Sequence, residues 1–167
     1  QHPLARAVGF TGSIKGGRAL ADLAAARPEP IPVYAEMGSV NPVFILPGAI
    51  AERTAGLIEG LYASAMVAVG QFCTNPGLIV LQRSPAAEQF IKGMAARLAA
   101  TLEGVMLTPG IRKNFVAHTT ARAHQPGVKV LAQGNATSLC SAAPVWFETG
   151  AKEFLGNQAL AEEIFGP

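Results

Sequence analysis

One cysteine, one glutamate and one glycine–serine pair carry the side-chain types from which a reactive centre can be built. Cys73 lies in the turn Gly70-Gln71-Phe72-Cys73-Thr74-Asn75-Pro76-Gly77, between a long apolar helical run and a short strand-like run. Such a turn presents a thiol at the end of a core element without enclosing it. A thiol activated by its surroundings is a nucleophile, and the backbone N–H of Cys73 is one donor for an oxyanion developing on the attacked carbon. Read alone, the turn leaves a second reading open, a small inert hydrophobe.

Glu36, in Tyr34-Ala35-Glu36-Met37-Gly38, follows an apolar run directly. A carboxylate at a strand end among apolar neighbours suits a general base, and an ordinary exposed acid in a turn is the plainer alternative. Phe10-Thr11-Gly12-Ser13, with Gly17 beyond, reads as strand, small-residue turn and helix start. That arrangement points backbone N–H groups and a hydroxyl at a site where a phosphate can sit, although it lacks the full glycine-rich fingerprint. His2, His118 and His124 have no spacing that forms a metal site or a Cys–His pair, so no metal is expected.

These residues need elements to hold them. Ala7–Phe10 reads as a strand, followed by a helix through Leu20 and Ala24 with Ser13 as its cap, half of a βαβ unit. Pro28 and Pro30 stop that helix. Ile31–Ala35 and Asn41–Leu46 read as fully apolar strands of a covered parallel sheet. Pro47-Gly48 reads as a turn, and Ala51–Val69 as the strongest helix, with Leu57, Leu61, Ala65 and Ala68 in one stripe. Leu78–Leu81 is the next strand. Ser84 and Pro85 open a helix to about Ala100 that carries Phe90, Met94, Ala95 and Leu98 on one face. Ile111–His124 is a further helix, with Arg112-Lys113 as a solvated pair. Val128–Leu131 and Pro144–Glu148 read as strands, with a small-residue loop holding Cys140 between them. The last stretch, Ala151–Phe165, is weakly helical or irregular. The expected class is α/β, a mostly parallel sheet with flanking helices.

Composition narrows the function classes. The 167 residues are 50% hydrophobic and 14% charged, enough for one real core and greasy for a free-standing domain. The formal net charge is +2 with scattered basic residues, which argues against a nucleic-acid binder. No apolar run reaches the ~18 residues of a membrane span. Two cysteines make no disulfide framework, so a reducing, cytoplasmic setting is expected. The opening at Gln1 without methionine and the close at Phe165-Gly166-Pro167 read as cut ends, the mark of an interior piece of a longer chain.

Four stretches in this order carry a family resemblance: Phe10-Thr11-Gly12-Ser13, Glu36-Met37-Gly38-Ser39-Val40-Asn41-Pro42, Gly70-Gln71-Phe72-Cys73-Thr74 and Glu162-Glu163-Ile164-Phe165-Gly166-Pro167. Together they resemble the aldehyde dehydrogenase superfamily from Phe10 to Pro167. The 37-residue step from Glu36 to Cys73 is close to the family's spacing and slightly longer. The second and third stretches look most like the branch acting on 2-oxoglutarate semialdehyde (2,5-dioxopentanoate), with the NADP-linked fatty-aldehyde branch next. Ser39 and Val40 replace the family's usual second glycine and lysine, which bears on the branch more than on the chemistry.

The resemblance implies a Rossmann-like cofactor domain whose C-terminal end is residues 1–38, and a partial catalytic domain over 39–167. It implies Cys73 as the nucleophile that forms a thiohemiacetal and, after hydride transfer to a nicotinamide, a thioester. Glu36 would be the base that activates water for hydrolysis. Gly12 and Ser13 would lie beside the cofactor's pyrophosphate, Glu163 at the nicotinamide ribose, and Phe165 near that ring. The cofactor would be NAD or NADP, with NADP favoured, the substrate a small aldehyde, and the full-length protein a homo-oligomer, a dimer or tetramer. The family's oxyanion asparagine and ribose-binding lysine would lie upstream of Gln1. Two other readings stay open: a non-catalytic, self-associating piece without turnover of its own, and a thiol hydrolase with a histidine near Cys73.

Overall fold

Capping side chains and prolines decide where the helices begin. The computed structural model describes residues 2–167; Gln1, on which the expectation of a cut start rests, lies outside the described residues. Two compact units are present, Gln1–Ser39 and Val40–Pro167.

In the first unit, β1 (Val8–Gly12), α1 (Ile14–Ala25) and β2 (Val33–Met37) form a parallel β-α-β arrangement. The register pairs Thr11 with Glu36 and Gly12 with Met37. Ser13 caps α1, its Oγ accepting from Gly16 N at 3.1 Å. Gly17 is buried, and a Cβ there would run into the Met37 sulfur; the bare backbone lets the helix lie close on β2. Two readings are corrected here. The second strand runs two residues further than its apolar stretch, so Glu36 lies within β2 rather than after it. Its residues also alternate between half-buried and exposed, with Tyr34 71% exposed.

The second unit begins with β3 (Pro42–Ile45), paired in parallel with β4 (Leu78–Leu81) and connected to it through α2 (Pro47–Ala65). Pro47 is not part of a turn: it occupies the first turn of α2, where a missing N–H costs nothing. The helix also stops four residues before Val69. Ala68 (φ +48), Val69 (φ +59) and Gly70 (φ +65) all take left-handed backbone in the short 3-10 turn Val67–Gly70. The stripe of small apolar residues continues through this point, but tertiary packing overrides it. Val69 turns into a cluster with Met106, Phe115 and Ala142 instead of extending the helix.

The remaining elements are α3 (Pro85–Ala99), β5 (Gly104–Val105), α4 (Pro109–Ala123), β6 (Val128–Gln133), β7 (Ser141–Ala142), β8 (Val145–Thr149) and α5 (Ala151–Gly156), followed by a 3-10 turn at Gln158–Ala161. Ser84 Oγ and Thr108 Oγ1 cap α3 and α4, each at 3.1 Å. β5 pairs with β7 and β6 with β8, both antiparallel. The two-residue strands β5 and β7 lie in stretches too short and small to show a period. Arg112 is not a purely solvated charge, since its Nε donates to Ser141 O at 3.3 Å.

Phe90 is fully buried among Ile45, Ile50 and Ala87, which stabilises by about 2–3 kcal/mol. Trp146 meets it edge to face, 6.4 Å between centroids at 86°. Met94, Leu98 and Ala132 continue this core, which holds α2 and α3 against β6 and β8.

Candidate active site

In the first unit, the ends of β1 and β2 bring two sequence motifs together. Glu36 is exposed one residue before the end of β2, opposite Thr11, and Gly12-Ser13 lead from β1 into α1. An open depression of about 650 Å³ on the strand pair is lined by Gly9, Phe10, Thr11, Tyr34, Ala35 and Glu36.

In the second unit, the cysteine turn is irregular but pinned at many points. Asn75 N donates to Phe72 O at 3.0 Å, and Asn75 Nδ2 to Gly70 O at 3.2 Å. Gln71 Oε1 accepts from Leu107 N at 2.8 Å while its Nε2 donates to Ala68 O at 2.9 Å. Asn41 Nδ2 donates to Cys73 O at 2.8 Å and to Asn75 O at 2.9 Å. Gly77 N donates to Val40 O at 2.8 Å. Cys73 is exposed, and it is not joined to Cys140 by a disulfide. The turn therefore fixes its backbone while leaving Cys73 at the surface.

The Glu163–Pro167 stretch comes to the base of this turn. Ile164 packs in the cluster that also holds Val69 and Phe115. Gly70 lies so close to the Gly166 carbonyl that a Cβ on Gly70 would collide with it, while a Cβ on Gly166 would meet the Phe115 ring. Val145 N donates to Pro167 O at 3.3 Å. Arg122 Nη2 fixes the approach, donating to Ala159 O at 2.8 Å and Glu162 O at 2.9 Å. Burial pulls the pKa of this guanidinium down, and the neighbouring Glu162 opposes that. Glu163 is half-buried and Phe165 is 36% exposed.

A family model for the aldehyde dehydrogenase family matches residues 1–167. The chain belongs to the aldehyde dehydrogenase family. It is 45% identical over 167 residues to alpha-ketoglutaric semialdehyde dehydrogenase 2 of Azospirillum brasilense, covering 99% of this chain and 32% of that protein. It is 41% identical to alpha-ketoglutaric semialdehyde dehydrogenase of Acinetobacter baylyi, covering 100% of this chain and again 32% of the relative. The chain thus spans about a third of the length of these curated relatives. An NAD-dependent benzaldehyde dehydrogenase from Corynebacterium glutamicum shares the fold, with a TM-score of 0.78 at 19% identity, covering 99% of this chain and 36% of that one. The α/β class read from the sequence is the class of this family member.

A nicotinamide dinucleotide needs uncovered amides for its pyrophosphate and an acid for its ribose hydroxyls. Each unit of this aldehyde dehydrogenase chain, taken by itself, carries residues of a type that meets one of those needs. Gly12 and Ser13 are exposed where α1 opens, and the first turn of α1 has no acidic side chain to repel a phosphate. Glu163 supplies a carboxylate and Phe165 a partly exposed ring. Among the described residues, no group of three or more His, Cys, Asp or Glu side chains could hold a metal ion, and no helix is long and apolar enough to cross a membrane.

Residue type and spacing give no role to Asn41, Gln71, Asn75 or Arg122. Asn41 and Gln71 stand inside the quoted motifs, so their position was visible. Their partners are backbone carbonyls and N–H groups, which carry no residue-type signal. Arg122 resembled any other surface charge of an amphipathic helix.

Proposed function

We propose that the full-length protein is an NAD(P)-dependent aldehyde dehydrogenase that oxidises 2-oxoglutarate semialdehyde to the dicarboxylate. The observation that carries the substrate class is the 45% and 41% identity, across essentially the whole chain, to two alpha-ketoglutaric semialdehyde dehydrogenases. The pinned turn with its exposed Cys73 supports the nucleophile.

Cys73 Sγ, as the thiolate, adds to the aldehyde carbon. The carbonyl electron pair moves to oxygen, and the backbone N–H of Cys73 is one donor to that oxyanion. A nicotinamide, when bound, supplies the acceptor for the hydride that leaves the former aldehyde carbon. Glu36 then takes a proton from water, the resulting hydroxide adds to the thioester carbon, and the carbon–sulfur bond breaks to return the Cys73 thiolate and release the carboxylate. Gly12 and Ser13 bind the pyrophosphate, and Glu163 and Phe165 the nicotinamide ribose and ring.

The test is Cys73→Ser and Cys73→Ala in the full-length protein with 2-oxoglutarate semialdehyde and either NAD or NADP. Both substitutions should abolish NAD(P)H formation, and retained activity would sink the assignment. A panel of fatty aldehydes decides between the two branches.

A second reading concerns the 167 residues by themselves. Large apolar side chains are exposed, among them Phe44 (67%), Leu102 (88%) and Leu139 (85%), which favours self-association without turnover. Sedimentation of this polypeptide, with an assay of NADPH formation, separates that behaviour from activity.

A further inference from the structure

The glutamate and cysteine motifs are read as separate catalytic stretches, yet one side chain ties the end of the first to the second. Asn41 uses its amide nitrogen on two carbonyls of the cysteine turn, Cys73 O and Asn75 O, and an amide –NH₂ has two hydrogens to give. Its own backbone is left-handed at φ +48, a conformation that asparagine adopts far more readily than branched residues. Immediately before it, Val40 O accepts from Gly77 N. Residues 40 and 41 therefore grip the turn at 73, 75 and 77, on either side of its exposed tip.

We propose that Asn41 is a positioning residue for Cys73, holding the Cys73 carbonyl so that the thiol and its backbone N–H keep one orientation toward the substrate. The proposal rests on the reading of Cys73 as the nucleophile. The physical case is a comparison of magnitudes. Two neutral hydrogen bonds contribute only modestly to stability, a loss that a core built around Phe90 tolerates. A reacting atom displaced by about 1 Å, by contrast, costs on the order of 100-fold in rate. Loss of Asn41 should therefore register in turnover far more than in folding.

Asn41→Asp keeps the shape and removes both donors, and Asn41→Ser retains one donor on a shorter arm. In the full-length protein, Asn41→Asp should lower kcat about 10- to 100-fold while KM for the aldehyde changes less than about threefold, and Asn41→Ser should fall between the two. Amide hydrogen exchange reads the clamp without turnover: the peptide over 70–77 should exchange faster in Asn41→Asp, with α3 unchanged. Unaltered exchange over 70–77 overturns the clamp. Wild-type kcat with faster exchange, or a kcat loss matched by faster exchange in α3, overturns the positioning role. If Cys73→Ser remains active, the nucleophile assignment itself falls, and the exchange result separates that case from a failed clamp.

Discussion

The backbone of Gly70 packs directly against the carbonyl of Gly166, and Gly70 is held at φ +65. A side chain at Gly70 meets two obstacles at once, an unfavourable backbone region and fixed backbone atoms that cannot rotate away. Gly70→Ala is expected to destabilise the full-length protein by about 3 kcal/mol, combining left-handed strain with overpacking. Urea unfolding followed by tryptophan fluorescence measures this through Trp146. A loss below about 1 kcal/mol would mean that the two backbones separate easily.

Arg122 bridges Ala159 O and Glu162 O just ahead of Glu163. Arg122→Met keeps much of the buried stem and removes the donors. The expected result is weaker NAD(P) binding, by about 5- to 20-fold, matching the roughly 1–2 kcal/mol of lost charged hydrogen bonds. Cofactor titration by fluorescence quenching checks it; an unchanged Kd would disconnect this bridge from Glu163 and Phe165.

Glu103 holds the loop before β7. The Ser141 hydroxyl, the amide and hydroxyl of Thr137 and the Ser138 amide all donate to its carboxylate. The Ser141 bond, then the Thr137 amide, hold its pKa below the ordinary glutamate range. A depressed folded-state pKa means that this stabilisation is complete above the unfolded glutamate pKa and is lost as pH falls through the lower folded value. The loop around 137–141 should therefore become more susceptible to an acid-active protease such as pepsin below the ordinary glutamate range. Glu103→Gln should show that susceptibility already at higher pH, with a weaker pH dependence.

Gly17 and Met37 set two effects of similar size against each other. A glycine in a helix interior is about 1 kcal/mol worse than alanine, but a Cβ at Gly17 collides with the Met37 side chain. Gly17→Ala is expected to destabilise the wild-type background and to stabilise a Met37→Ala background by about 0.5–1 kcal/mol. Thermal melts of the four proteins complete the cycle, and additivity within experimental error would contradict the packing argument.

Much of this architecture was legible because its signals are local. Ser13 and Ser84 each stand ahead of a helical pattern, and both cap a helix. Leu78–Leu81, flanked by turn residues, forms the strand read from it. Phe90, Met94 and Leu98 repeat at helical spacing and are buried. What stayed hidden depends on distant partners. The end of α2 is dictated by where Val69 packs, against residues 37 or more positions later. The antiparallel pairing of β6 with β8 follows from the path of the chain between them, not from their own residues. Residue types and order single out Cys73, Glu36 and the Glu163 stretch as candidates. The hydrogen bonds that hold the cysteine turn were invisible, since they end on backbone atoms that every residue possesses.

The contact between Gly70 and Gly166 also has a consequence in time. Ninety-six positions separate the two glycines, and at about 5–20 residues per second the ribosome takes on the order of 5–20 s to cover that interval. Throughout it, the nascent cysteine turn has its tip but not its floor. The Cys73 thiol is thus synthesised well before the segment that seats its turn, and the turn can reach its final form only after Gly166 and Pro167 have left the exit tunnel.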